Sequence, residues 1–274
     1  MRKIGLIAGN GKFPLIFARE ARRQGVALVV VAHRGETAPE IERASDDIRW
    51  VRVGELGAII DTFRRAGITE AVMAGGIQRA RLWSSFRPDL RGIAFLARML
   101  RRDDDGLLRG VAEELERDGI RVVESTLFLE ELIPAAGILT RRSPTARERE
   151  DMALGFRVVK EVGRLGIGQS VAVKDLVVLT VEAVEGTDAM IRRAGALVQG
   201  GFVVVKASKP EQDLRFDVPA VGMETVRVLG ESGGAVLAVE AGKTVLLERD
   251  EMLREADAKG IAVVALAGGE FSSV

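Results

Sequence analysis

Cysteine and tyrosine are absent from this 274-residue chain, and histidine occurs once. The missing cysteine excludes thiol nucleophiles, disulfides and cysteine-ligated zinc. A single histidine, His33, excludes zinc sites built on two or three imidazoles, and any serine triad would have to use it. Charge of one sign is also lacking. Forty basic residues face forty acidic ones, so no bulk basic field holds nucleic acid. No apolar run approaches the roughly 18 residues of a membrane span. The opening MRKIGLIAGNGKFPLIF is broken by Gly9, Asn10, Gly11 and Lys12 and followed by Pro14. It therefore lacks a signal-peptide core, and the expected location is the cytoplasm. Carboxylate, lysine, arginine, hydroxyl and backbone chemistry remain for catalysis. The metal expected with such donors is an oxygen-ligated ion such as Mg²⁺.

A hydrophobic fraction of 47% with 29% charged residues marks a folded globular chain, and its length fits two domains. Short apolar runs bounded by glycine predict strands at 3–8, 26–32, 48–54, 70–76 and 120–126. Helical spacing fills the intervals at 11–25 and 55–67, and two helices are expected within 93–118. This rhythm predicts an N-terminal Rossmann-like open parallel sheet over residues 1–133. PAAGILTRRSPTAR, with two prolines and an arginine cluster, reads as a linker over 134–147. A second α/β domain with a mixed sheet is expected over 148–274. Its predicted helix at 187–197 takes Thr187 as N-cap.

Several features carry chemistry or a blander role. The turn Gly9–Asn10–Gly11 after the first strand suits a phosphate at a helix N-terminus, or is merely tight. It lacks a third glycine, and no acidic residue ends the second strand, which weighs against NAD binding. Gly75 and Gly76, in MAGGIQR (73–79) with Gln78, stand where open α/β sheets bind ligands; a plain turn is the alternative. GKT at 242–244 lacks the first glycine of a P-loop and reads as a turn. Asp103–Asp105 is either a solvated helix start or a metal or substrate contact. The arginine-dense stretch 81–102, with Trp83, Phe86 and Phe95, fits an acyl-chain or membrane surface, or an ordinary amphipathic helix. In the second half, EGTDAMIRR (185–193) and KASKPEQDLRFDVPAVG (206–222) each follow a strand. They gather Thr187, Asp188, Lys206, Lys209, Gln212, Arg215 and Asp217 on turns and an irregular loop. Lysine and arginine there can bind phosphate, and an aspartate can hold a metal or orient water.

The segments IGLIAGNGKFP, VGELG, MAGGIQR, RPDL, DDDGLLR, IGQSVAV, EGTDAMIRR and KASKPEQDLRFDVPAVG together resemble the LpxI family of UDP-2,3-diacylglucosamine pyrophosphatases of lipid A synthesis. The resemblance implies Mg²⁺-dependent hydrolysis to UMP and 2,3-diacylglucosamine 1-phosphate, with the ligand held between two domains. It also implies that Asp217 is essential. Asp188 and Asp104 or Asp105 are carried over as further carboxylates, and the expected metal set is Asp217, Asp188 and Asp104. Lys206 and Arg215 are expected with Asp217 at the reaction centre. Gly9, Asn10, Gly11, Gly75, Gly76, Gln78, Thr187, Lys209 and Gln212 are expected on the substrate. Departures at Ser208, Glu211 and Asp213 leave the key Lys, Gln, Arg and Asp positions intact. The implied partner is a lipid-linked nucleotide sugar, met at the cytoplasmic face of the inner membrane. A homo-oligomer is compatible with the sequence. The rival readings are a non-catalytic nucleotide-sugar or lipid-binding protein on the same scaffold and, more distantly, an NAD-dependent oxidoreductase.

Overall fold

The structure, a computed structural model, describes residues 2–77, 87–99, 104–210, 212–216 and 218–267. Contacts divide the chain into two compact units. The first runs to Leu129 and includes a short segment starting at Asp213; the second holds Glu130–Gln212 and the chain from Val218 onward.

The first unit is built on five parallel strands in the order β3-β2-β1-β4-β5. They are β1 (Lys3–Ala8), β2 (Ala27–His33), β3 (Asp47–Val51), β4 (Glu70–Ala74) and β5 (Arg121–Val122). Every residue of β2 is buried, as expected of a central parallel strand covered on both faces. Helix α1 (Phe13–Arg23), with Pro14 in its first turn, crosses from β1 to β2. Helix α2 (Leu56–Arg65) crosses from β3 to β4. Helices α3 (Leu90–Met99) and α4 (Asp104–Arg117) precede β5. One core cluster joins Val29, Val31, Ile60, Phe63, Phe95 and Leu115. The chain moves from β1 to one side and returns to β4 on the other, so the topological switch point lies between the carboxyl ends of β1 and β4. The expected strand over 120–126 shortens to β5 because the chain leaves the sheet. Ser125 donates through both its N–H and its hydroxyl to the Leu214 carbonyl of the inserted segment.

The second unit carries six strands in the order β6-β13-β11-β9-β7-β8. Strands β6 (Gly137–Ile138), β7 (Ser170–Lys174), β8 (Val177–Val181) and β9 (Phe202–Lys206) come first in the chain. A separate parallel pair, β10 (Ala220–Val221) with β12 (Val245–Leu246), stands apart, and β11 (Gly234–Glu240) and β13 (Ala262–Leu266) complete the sheet. Strands β9, β11 and β13 are parallel, whereas β6, β7 and β8 make antiparallel pairs. Helix α5 (Ala146–Arg164) packs Met152, Phe156 and Val159 on the face bearing Val203 and Val205. Helices α6 (Thr187–Leu197), α7 (Met223–Glu231) and α8 (Arg249–Ala258) cover the face bearing Phe202 and Val204. The alternation along β9 thus feeds two cores. Within 134–147, read above as a linker, β6 pairs with β13, and Thr145 with Glu148 forms the capping box that starts α5. The prolines and arginines there punctuate structure instead of loosening it.

Candidate active site

In the first unit the two glycine pairs meet at the switch point. The Gly9 amide donates to the Ala74 carbonyl at 2.8 Å, and the Asn10 amide to the Gly76 carbonyl at 2.8 Å. A methyl on Gly9 would stand 2.3 Å from the Gly76 carbonyl oxygen, and one on Gly75 would stand 2.3 Å from the Asn10 oxygen. Only glycine lets these backbones approach so closely. The Gly9 and Asn10 amides, expected on the substrate, are hydrogen-bonded within this bridge. The Ala8 carbonyl accepts from Thr37 Oγ1 at 2.6 Å and from His33 Nδ1 at 2.9 Å. A carbonyl can only accept, so His33 carries its proton on Nδ1. Burial drives the imidazole pKa below its ordinary value, against the opposing pull of that carbonyl. The single histidine is therefore a neutral structural pin beside the turn.

In the second unit a polar chain runs from β9 to α6. Lys206 Nζ, at the last position of β9, donates to Thr187 Oγ1 at 3.0 Å, and that hydroxyl donates to Glu182 Oε1 at 2.9 Å. Ser170 Oγ lies 3.3 Å from the same hydroxyl. The N-cap of α6 is Gly186, at φ 84°, with no side-chain cap. Thr187 was expected in that role; it starts the helix, and its hydroxyl serves Glu182 and Lys206 instead. Asp188, half-buried in the first turn, accepts from Thr225 of α7 at 3.4 Å. A lysine and a helix N-terminus suit an oxyanion, and a carboxylate in the same turn suits a cation.

Below the loop after β9 lies a buried charge network. Glu240, 2% exposed at the end of β11, accepts from the Ser208 amide at 2.9 Å and its hydroxyl at 2.7 Å. It also accepts from Lys160 Nζ at 2.6 Å and Lys243 Nζ at 3.0 Å. Burial pushes the Glu240 carboxyl up, but the bonds from Lys160, Ser208 and Lys243 outweigh it and hold the pKa below the usual range. Lys243 thus tethers the GKT turn to Glu240. The next residues close a turn, with Lys209 N–H donating to Gln212 Oε1 at 2.8 Å and Gln212 N–H to the Lys209 carbonyl at 3.1 Å.

Arg215 falls in the first unit. Its Nε and Nη2 grip Asp213 at 3.0 and 2.8 Å, its Nη1 reaches Glu116 at 3.4 Å, and its guanidinium lies over the Phe216 ring. Hydrogen bonding to Arg215 holds the Asp213 carboxyl below its ordinary value. A phosphate at Arg215 must therefore compete with two carboxylates. Asp217, Gln78, Trp83 and Phe86 lie outside the described residues. Helix α4 is described from Asp104 onward, and the carboxyl of that residue likewise lies outside them. Phe95 is core, whereas Leu90 and Ile93 of the same helix are exposed. Among the described residues no three His, Asp or Glu side chains converge as a metal cage. Sequence reasoning missed Lys160, Glu182 and Glu240. A charge closing the apolar strand AVLAVE was the available signal for Glu240; Lys160 and Glu182 gave none.

The LpxI N-terminal domain model matches residues 3–132, and the LpxI C-terminal domain model matches 135–264. A curated relative from Caulobacter vibrioides (strain ATCC 19089 / CIP 103742 / CB 15), named UDP-2,3-diacylglucosamine pyrophosphatase LpxI, is 34% identical over 97% of this chain and 98% of its own. The chain belongs to the LpxI family. Solved structures are far more distant. CobK precorrin-6A reductase aligns over 100% of this chain and 91% of its own at 14% identity and a TM-score of 0.33. The biotin carboxylase subunit of pyruvate carboxylase aligns over 63% of this chain and 35% of its own at 12% identity and a TM-score of 0.27. Likeness at that level transfers neither fold nor function. The LpxI α/β halves correspond to the parallel and mixed sheets described above. No described helix is long and apolar enough to cross a membrane.

Proposed function

We propose that this LpxI-family chain hydrolyses the pyrophosphate of UDP-2,3-diacylglucosamine to UMP and 2,3-diacylglucosamine 1-phosphate. The carrying observation is the near-complete alignment with a relative named for that activity. Hydrolysis of a pyrophosphate needs charge neutralisation and a positioned water. Lys206, held by Thr187 at the N-terminus of α6, supplies fixed positive charge for a phosphoryl oxygen. Lys209 adds a second cation on the loop that follows. Asp217, in the same loop, is the residue we assign to orienting or deprotonating the water.

Mg²⁺ is part of the proposal. An ion of this kind takes one or two carboxylates from the protein and fills its shell with water and substrate phosphate. Its protein ligands would be drawn from Asp188, Asp217 and Asp104. Bound there, it would neutralise charge developing on the phosphates. We place the reaction in the cytoplasm, at the inner-membrane face where a diacylated substrate resides, with the exposed Leu90 and Ile93 of α3 available to lipid.

The test is direct. Purified chain with Mg²⁺ should release UMP from UDP-2,3-diacylglucosamine, and a chelator should stop it. Tight substrate binding with no UMP release would replace the hydrolase with a binding protein.

A further inference from the structure

Among the described residues of the second unit, four carboxylate side chains are buried: Glu148, Asp151, Glu182 and Glu240. Three of them engage both oxygens. Glu148 accepts from Arg142 and the Thr145 amide, and Asp151 from the Asp175 and Leu176 amides. Glu240 accepts from Lys160, Ser208 and Lys243. Glu182 differs. Its Oε1 accepts from Thr187, while its Oε2 is buried with no partner among the described residues. A half-satisfied ionic group in the interior weakens a fold, so stability does not account for this carboxylate.

The backbone holds Glu182 in place from two sides. Its amide donates to the Ser170 carbonyl at 2.9 Å, and a methyl on Gly168 would stand 2.1 Å from its carbonyl oxygen. Only glycine at position 168 admits that approach. The side chain so placed grips the hydroxyl that meets Lys206. Thr187 Oγ1 carries one proton and has three neighbours, Glu182 Oε1, Lys206 Nζ and Ser170 Oγ. A carboxylate can only accept and an ammonium can only donate. The Thr187 proton therefore points at Glu182, its lone pairs face Lys206 and Ser170, and Ser170 is the donor of its pair. Without an acceptor at position 182 that proton is free to turn to Ser170, and the hydroxyl to leave its rotamer.

We propose that Glu182 is a positioning residue, which locks the Thr187 hydroxyl and through it fixes the Lys206 ammonium for a phosphoryl oxygen of the pyrophosphate. This rests on the proposed hydrolysis and adds the group that aims its cation. Lys206 meets the substrate; Glu182 acts on it only through Thr187. A charge held in place stabilises a developing oxyanion without reorganising as the reaction proceeds. Loss of the lock therefore lowers kcat more than it raises KM.

The experiment uses the full chain, with inorganic pyrophosphate as the binding probe and UDP-2,3-diacylglucosamine with Mg²⁺ for turnover. Glu182→Leu should weaken pyrophosphate about tenfold by calorimetry, the scale of one charge-assisted contact. Glu182→Gln keeps an acceptor for Thr187 and should stay within about threefold of wild type. Thr187→Val should match Glu182→Leu, and the double variant should bind no worse than either single one, because both act through one hydroxyl. The same order should appear in kcat, with Glu182→Leu lowering it by more than it raises KM. Should Glu182→Leu fail to fold, Thr187→Val against Thr187→Ser carries the comparison: loss with valine and recovery with serine support the lock, and equal affinities overturn it. Unchanged pyrophosphate affinity in Glu182→Leu also overturns it, as do additive losses in the double variant or a Glu182→Gln chain as impaired as Glu182→Leu. The two readings fail separately. Pyrophosphate affinity that depends on Glu182, without UMP release, keeps the lock and discards the hydrolase. UMP release with affinity and kcat indifferent to Glu182 does the reverse.

Discussion

Replacing Glu240 by alanine should be among the costliest single changes in the second unit. Four donors converge on a carboxylate that is 2% exposed: Lys160, Lys243, and the amide and hydroxyl of Ser208. The Lys160 side chain is itself only 20% exposed, so removing its partner strands a poorly hydrated ammonium. Breaking a buried pair from one side costs about 3–5 kcal/mol. Lys160 keeps its bond to the Ser208 carbonyl at 2.9 Å, which favours the lower end, roughly 3 kcal/mol. For a chain of this size that corresponds to a fall in Tm of roughly 6–12 °C. Urea denaturation of wild type, Glu240→Ala, Lys160→Met and the double variant gives the cycle. The double variant should cost less than the sum of the singles by more than about 1 kcal/mol. A Glu240→Ala protein within about 0.5 kcal/mol of wild type would refute the reasoning. The pH dependence has a definite sign. A carboxyl held below its ordinary value binds fewer protons folded than unfolded. Its contribution is thus complete above the unfolded pKa and is lost as pH falls through the folded one.

Further outcomes follow from other features. Gly9→Ala should cost about 1–3 kcal/mol by chemical denaturation, since its methyl meets backbone that cannot yield; unchanged stability would mean that the two turns are not bridged. The buried His33 binds a proton less readily folded than unfolded, so its contribution is full above about 6.5 and declines as pH falls below it. Wild type should therefore lose more stability than His33→Asn between pH 7 and pH 5.5, and parallel losses would contradict the pinning role. Asp217→Ala should lower the hydrolysis rate by at least ~10²-fold with folding intact; near-normal turnover would remove it from the chemistry.

Much of the architecture was legible because it rests on local pattern. Glycine-bounded apolar runs marked nearly every strand, and the β1–β4 glycine turns stood out as chain features before their contact was seen. What stayed hidden depends on residues remote in sequence. The end of β5 is decided by Leu214, 89 positions away from Ser125. The partner of Lys160 lies 80 positions along, at Glu240. Thr187 fitted every local criterion for an N-cap, yet Glu182 and Lys206 claimed its hydroxyl, a competition that spacing does not reveal. The candidate site was legible as a set of residue types on two loops. Which of them share a unit was not.

The segment starting at Asp213 has a consequence for biosynthesis. Phe216 packs against the core of the first unit, and Leu214 supplies the acceptor for Ser125, yet both are encoded after most of the second unit. A ribosome moving at about 5–20 residues per second takes roughly 4–17 s to travel from Leu129 to Phe216. Throughout that interval the nascent first unit lacks a piece of its own packing. It must wait for its closing segment, and a gene fragment ending near residue 133 would leave the wait permanent.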